Sequence, residues 1–282
     1  MVEIDPKNST IRDVYHLMIS AISPRPIAFV GSVNSLNEHN LAPYSFFNGF
    51  GANPPIVGFS PANSGRTGLP KDTLLNIEET KEFTISVVTK NIVEQVSLSS
   101  CEFDRNIDEF NKTGLTKYKS KIISPYGVKE SPIIMECKLH DIIKLGGLPA
   151  SGNLILGEIV FFHIDDEFLD KDNKILSGKI NHIGRSGGNF YTESKNSFFE
   201  VKKPNCVGIG FDNLPTKLLN SDLKGIHLAK LASVDKIPSL ILSDSNFNSF
   251  EKMIDAVSSK LKNDDVISAW QIFLNWENKK NV

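Results

Sequence analysis

The chain has 282 residues, and its 31 lysines and arginines against 33 aspartates and glutamates give a formal charge of −2. A hydrophobic share of 40% excludes a disordered or acidic-tail protein, and the near-neutral charge argues against nucleic-acid binding through a broad basic face. The length suits one large domain or two small ones, with no need for a disulfide or a metal to hold the core.

The N-terminal stretch and the apolar runs predict a cytoplasmic protein with no membrane partner. MVEIDPKNSTIRD is polar and acidic and shows no secretory signal. The longest mostly apolar run, residues 153–164, is too short to span a bilayer and contains Glu158. The cysteines are widely separated, which is typical of free thiols and not of a disulfide framework or a zinc site; they are Cys101, Cys137 and Cys206.

Short runs rich in apolar residues and bounded by proline or glycine predict five strands, at residues 26–33, 56–60, 83–88, 133–140 and 154–165. Two helices are predicted between them, one capped by Asp72 or Thr73 and running to residue 79, the other capped by Asn91 and running to residue 96. Because the strands and helices do not alternate regularly, the pattern favours a mainly β antiparallel barrel over a doubly wound sheet.

The character of the sequence changes after about residue 203. Residues 206–215 have strand character and end at Pro215, and short helices are predicted beyond it. Apolar residues then recur at three- and four-residue spacing, which predicts an amphipathic helix over about 247–261 and another from Val266. We therefore predict a barrel over residues 1–203 and a mostly helical extension over 204–282, packed on the barrel or on a partner.

Three segments combine residues suited to ligand binding. In the first, a strand ends at Gly31-Ser32 and is followed by a polar turn and the run 40–45, NLAPYS. Its small and amide side chains could hydrogen-bond a planar polar heterocycle, or the segment could be a plain hairpin.

The second segment joins Ser64-Gly65-Arg66-Thr67 to Lys71-Asp72-Thr73. Basic and hydroxyl side chains beside a helix N-terminus form a phosphate cradle, although a solvated loop capped by Asp72 explains them too.

The third segment, residues 181–191, reads NHIGRSGGNFY. It could close over a ligand, because glycine allows a close backbone approach, or it could be a glycine turn between two structural segments. His182 by itself is more often a structural histidine. The histidines show neither HxH nor HExxH spacing, so we predict no metal site, and no GxSxG or phosphate-loop motif is present.

Four blocks together resemble the flavin reductase-like, FMN-binding split-barrel family, which includes flavoredoxin-like proteins. They are PRPIAFVGS, NLAPYSFFNGFGANPPIVGFS, KDTLLNIEETKEFTISVV and HIGRSGGNFY, and they keep the family order. The resemblance covers roughly residues 10–200. It implies an antiparallel six-stranded split barrel with Greek-key topology, and a homodimer that binds FMN, less often FAD, near the dimer interface.

The resemblance also implies roles for individual residues. Those facing the flavin ring and ribityl chain would be Ser32, Asn40, Leu41, Ala42 and Ser45. Those around the phosphate would be Ser60, Arg66, Lys71, Asp72 and Thr73, although this loop has fewer basic residues than many relatives. The catalytic assignments are His182, which would orient the substrate, and Arg185, which would recognise an anion or the nicotinamide.

The implied function is an FMN-binding oxidoreductase that takes a hydride from NADH or NADPH and passes electrons to a second acceptor. That acceptor could be free flavin, a ferric complex, or a partner oxygenase or iron-sulfur protein. The alternative is a flavoredoxin-like electron carrier without NAD(P)H activity of its own. A third possibility is a structural module that binds no flavin.

Overall fold

The computed structural model describes residues 1–243 and 246–280, apart from the side chain of residue 280. It forms two compact units, Met1–Phe199 and Glu200–Val282. The first unit contains all the strands among the described residues, and the second is helical. The sequence places the domain boundary between residues 203 and 204, which is close to this division. That boundary stays a prediction.

The strands of the first unit are β1 (Arg25–Pro26), β2 (Ala28–Val33), β3 (His39–Tyr44), β4 (Phe47–Ala52), β5 (Pro55–Phe59), β6 (Glu82–Val87), β7 (Lys117–Tyr118), β8 (Gly127–Val128), β9 (Ile133–Lys144), β10 (Asn153–Ile164), β11 (Ile183–Arg185) and β12 (Tyr191–Glu193). Its helices are α1 (Ile11–Ala21), α2 (Asp72–Thr80), α3 (Val93–Leu98) and α4 (Glu109–Thr113). All five predicted strands and both predicted helices are present, with small differences at their ends. The predicted cap by Asn91 is wrong, because Asn91 lies within a 3₁₀ turn and Ile92 is the N-cap of α3, which has no side-chain capping bond.

The main sheet has seven antiparallel strands in the order β3-β2-β6-β9-β10-β5-β4. Its two edge strands, β3 and β4, are consecutive in the chain and are joined by only Ser45 and Phe46. The sheet must therefore curl until its edges meet, yet no ladder of hydrogen bonds joins those edges. This is a split barrel, which confirms the predicted class with one strand more than the expected six.

Two small sheets accompany the barrel. β11 and β12 form a hairpin, and β1 pairs with β11 to give a three-stranded sheet. The third predicted ligand segment is therefore a turn between two paired strands. β7 and β8 form a two-stranded sheet.

Strand β2 lies at the centre of the core, because all six of its residues are buried. Val30 packs inside the barrel with Phe59 and Phe83, whereas Phe29 packs on the other face with Leu41 and its neighbours. At Gly31 a Cβ atom would lie 2.2 Å from the carbonyl oxygen of Tyr126, so only glycine allows this approach. The buried β2 fixes the positions of β3 and α2, which carry most of the candidate site.

The second unit consists of α5 (Thr216–Leu219), α6 (Gly225–Ala232), α7 (Phe250–Lys262) and α8 (Val266–Lys280). The predicted amphipathic stripe is buried on α7, and Trp270 is fully buried in the same cluster. The strand predicted over 206–215 is wrong. Gly210 has a positive φ of 77°, and a single 3₁₀ turn follows over Phe211–Asn213. Among the described residues, no helix is both long enough and apolar enough to cross a bilayer.

Candidate functional site

A cavity of about 240 Å³, here called the α2 cavity, lies beside the first turn of α2. Its wall is formed by the end of β3, the loop before α2, the segment after α3, and the start of α4. The structure brings together here half of the ten residues predicted to bind the cofactor; they are Asn40, Ala42, Lys71, Asp72 and Thr73.

The N-terminus of α2 carries no side-chain cap. Lys71 occupies the N-cap position and makes no side-chain capping bond, so the predicted cap by Asp72 or Thr73 is wrong. Asp72 instead pairs with Arg105, and the Thr73 hydroxyl donates to the Oδ1 atom of Asn40 over 2.7 Å. The backbone N–H of Leu74 donates to the carbonyl oxygen of Lys71, which leaves the N–H groups of Asp72 and Thr73 available to an anion. The partial positive charge of a helix N-terminus also attracts an anion.

A buried hydrogen-bond network fixes the side chain of Asn40. Its Oδ1 atom accepts from Thr73 and, over 3.4 Å, from the hydroxyl of Ser32. The Tyr44 hydroxyl donates to Thr73, and the side-chain amide of Asn76 donates to Ser32. Burial raises the pKa of Tyr44, so its phenol stays protonated and acts as a donor. Ser32 thus lies behind Asn40 and orients it.

The sequence analysis missed Glu109, which holds the other side of Asn40. One carboxylate oxygen accepts from the Asn40 side-chain amide over 3.0 Å, and the other accepts from the Leu41 backbone N–H over 2.9 Å. The Leu41 side chain packs in the core, so only its backbone reaches this network. Burial raises the pKa of Glu109 to about 7 despite these bonds. In the sequence, Asp108-Glu109 resembles an ordinary helix start, and this concealed its role.

Glu102 was also missed, and it lies between the two cations predicted to bind phosphate. Its carboxylate contacts Arg66 and, over 2.9 Å, the ammonium group of Lys71. The hydrogen bond and charge of Lys71, followed by those of Arg66, hold the pKa of Glu102 below its usual value. An entering phosphate would compete with this carboxylate for both cations.

Two predicted cofactor residues make other contacts. Ser45 lies at the split between β3 and β4, where its hydroxyl accepts a hydrogen bond from the Nε atom of Arg25 over 3.3 Å. The guanidinium of Arg25 is buried and also donates to the carbonyl oxygens of Ile19 and Ile22 at the end of α1. The Ser60 hydroxyl accepts from the backbone N–H of Asn153. Neither serine lines the α2 cavity.

A second cavity, here called the β1–β12 cavity, has a volume of about 770 Å³ and is lined by one of the two predicted catalytic residues. His182 lines this mostly apolar cavity together with Arg25, Phe47 and Val88. Burial lowers the pKa of His182, so its imidazole is neutral at pH values near 7. Arg185 does not line either cavity, and its guanidinium lies 4.4 Å from the ring centre of Tyr191. The predicted residues thus divide between two regions.

Comparisons with known proteins agree with this architecture. Residues 20–177 match the family described as flavin reductase like domain. Nitrilotriacetate monooxygenase component B from Bacillus cereus is 34% identical, with a TM-score of 0.67 and coverage of 71% of this chain and 98% of that one. The 2-nitrobenzoate 2-nitroreductase of Pseudomonas fluorescens is 29% identical, with a TM-score of 0.65 and coverage of 76% and 98%.

An uncharacterised protein of Halalkalibacterium halodurans is 34% identical over 200 residues, which are 70% of this chain and 94% of that protein. The family match spans residues 20–177 and so includes β1 to β10, every strand of the main sheet, and the α2 cavity. The chain therefore belongs to the flavin reductase-like family.

Proposed function

We propose that this chain is an FMN-dependent oxidoreductase that holds the flavin phosphate in the α2 cavity, oxidises NADH or NADPH, and passes the electrons to a second acceptor. The observation that carries this proposal is the uncapped N-terminus of α2 in a cavity that also contains Lys71 and the fixed amide of Asn40. Backbone N–H groups with one lysine suit a phosphate, and an immobilised amide suits the polar groups of a flavin.

The flavin would supply the redox chemistry by accepting a hydride and giving up electrons. The protein residues would bind and orient. Lys71 and Arg66 would attract the phosphate once Glu102 releases them, and Asn40 would be held in place by Glu109 and Thr73. The neutral imidazole of His182 would position a substrate in the β1–β12 cavity, and Arg185 would attract its anionic part. A homodimer in the cytoplasm, with FAD as the less favoured cofactor, is part of the same proposal.

The relatives suggest two classes of electron acceptor. One relative is a component of a monooxygenase and another is a nitroreductase, so a partner oxygenase and a small aromatic oxidant are both reasonable acceptors. A second candidate function is a flavin electron carrier that does not react with NAD(P)H. The absence of His182 and Arg185 from the walls of the α2 cavity favours this candidate.

The test is to load the purified protein with FMN, remove free flavin by gel filtration, and add NADH or NADPH without oxygen. Rapid bleaching of the flavin absorbance supports the reductase, whereas bleaching by dithionite alone supports the carrier. We expect Lys71→Met to weaken FMN binding and the exposed α2 substitution Glu79→Gln to leave it unchanged. If the protein retains no FMN under any of these conditions, both proposed functions are contradicted. The third possibility, a structural module that binds no flavin, would then remain.

A further inference from the structure

Glu109 is a buried carboxyl group in the α2 cavity that lacks an ion-pair partner. Its residue is only 5% exposed, and it lines the cavity into which the proposed phosphate would enter. Among the described residues no lysine, arginine or histidine lies within ion-pair distance of it. Its two hydrogen bonds come from neutral donors, Asn40 and Leu41. Ionisation of Glu109 in this place therefore costs free energy, and the negative charge of a bound phosphate would raise that cost.

The cations near Glu109 are already engaged with other carboxylates. They form three ion pairs, Lys117 with Asp108, Arg105 with Asp72, and Lys71 with Glu102. Asp108 and Asp72 themselves act on Glu109 and raise its pKa further. Lys112 of α4 is exposed to solvent, and its ammonium group lies 5.9 Å from the ring centre of Phe103. No positive charge on α2, α4 or the segment between α3 and α4 therefore lies within ion-pair distance of Glu109 to neutralise it.

The elements packed against α4 supply no cation either. On β3, burial and the charge of Lys117 lower the pKa of His39, so this imidazole is neutral near pH 7. The titratable residue of α3, Glu94, is exposed and negative. A proton from solvent is consequently the nearest source of neutralising charge, and it is available because the pKa of Glu109 is about 7.

We propose that Glu109 takes up a proton from solvent when the phosphate of FMN enters the α2 cavity, so that the cavity accepts the anion by neutralising one of its own carboxylates. This inference rests on the proposed function, because it assumes that FMN binds here. A protonated carboxyl group still accepts hydrogen bonds, so Asn40 and Leu41 keep their positions. FMN affinity should then fall as the pH rises above 7, by up to about tenfold per unit.

The decisive measurement is the number of protons taken up per bound ligand, obtained by calorimetry in buffers of different ionisation enthalpy. At about pH 8 the phosphate of free FMN is already a dianion, whereas most of the Glu109 in the empty cavity is ionised. We expect FMN to bind with uptake of nearly one proton under these conditions. Riboflavin, which has no phosphate, should bind with almost none.

Two variants test whether Glu109 is the group that takes up the proton. Glu109→Gln should bind FMN without proton uptake and with an affinity that no longer depends on pH between about 7 and 8.5. Glu79→Gln, an exposed change on α2, should behave like the wild type. In the wild type without ligand, the amide resonance of Leu41 should shift with a midpoint near pH 7, because its N–H donates to the titrating carboxylate.

The outcomes separate this inference from the function on which it rests. FMN that binds without proton uptake, or uptake that persists in Glu109→Gln, would refute the inference and leave the proposed function intact. Equal uptake with riboflavin would also refute it. Failure of FMN to bind at any pH would refute both. If Glu109→Gln does not fold, the wild-type comparison of FMN with riboflavin and the Leu41 titration still decide the question.

Discussion

The Nε2 atom of His163 lies 2.5 Å from the Oε1 atom of Glu136, and the carboxylate of Glu136 is completely buried. The two residues lie on the adjacent strands β10 and β9. The same carboxylate accepts backbone hydrogen bonds from three consecutive residues, Lys121 to Ile123. One side chain thus fastens the loop before β8 to the barrel.

Glu136→Gln should lower the free energy of unfolding by about 3 kcal/mol, because it replaces a buried carboxylate that accepts several hydrogen bonds and turns an amide donor toward backbone donors. Asp141→Asn is the matched control, since Asp141 is exposed on the same strand, and it should cost little. Urea denaturation followed by circular dichroism measures both. Equal effects of the two changes would contradict this assignment.

The same carboxylate should make stability depend on acid pH. Burial by itself would raise the pKa of Glu136, but the bonds from Lys121, His163 and Ile122 outweigh it and leave the pKa below its usual value. The folded state therefore binds this proton more weakly than the unfolded state does. Its stabilisation is present above the pKa of an unfolded glutamate, about 4.3, and is lost as the pH falls through the folded value. Denaturation midpoints should drop less in acid for Glu136→Gln than for the wild type.

Glu102→Gln should tighten FMN binding by about two- to fivefold at low salt, because it frees Arg66 and Lys71 from an exposed carboxylate. Riboflavin affinity should not change, since riboflavin has no phosphate to compete for these cations. Titration by quenching of flavin fluorescence measures both ligands. An equal gain for riboflavin would show that Glu102 acts on the ring instead of the phosphate.

The second unit can be tested separately because both tryptophans of the chain, Trp270 and Trp276, belong to it. Met253 is fully buried beside them, so Met253→Ala should lower the stability read by tryptophan fluorescence by about 2–4 kcal/mol. Ile267→Ala, at a position 55% exposed on α8, is the control and should have little effect. Equal losses of stability in the two variants would contradict the burial of Met253 in the core of this unit.

The spacing of apolar residues in the sequence predicted the strands and helices whose pattern is regular. The β-rich run of β10 and the stripe of α7 were found because their apolar residues follow one regular period. Strand β4 contains Gly49 and Gly51 and is mostly exposed, so its pattern is weak. The strand expected near residue 210 failed because its glycines allow a different backbone path.

The sequence predicted those residues of the candidate site that are close together in the chain. Lys71, Asp72 and Thr73 are neighbours in sequence, and they meet Asn40 at one cavity. Glu109 reaches Asn40 from 69 positions away, and Glu102 reaches Lys71 from 31. Contacts of this range come from tertiary packing, and no spacing rule in the sequence encodes them.

Arg25 has a consequence for the order in which the chain folds. Within the part of the chain that the structure describes, its strand β1 pairs only with β11, where Arg25 lies opposite Arg185. The guanidinium of Arg25 donates to the carbonyl of Ser186, 161 positions along the chain. The seven strands of the main sheet have all been synthesised once the ribosome passes Ile164. The segment around Arg25 must then wait for about twenty more residues, since a contact of such length forms late. The first strand among the described residues is thus among the last to find its partner.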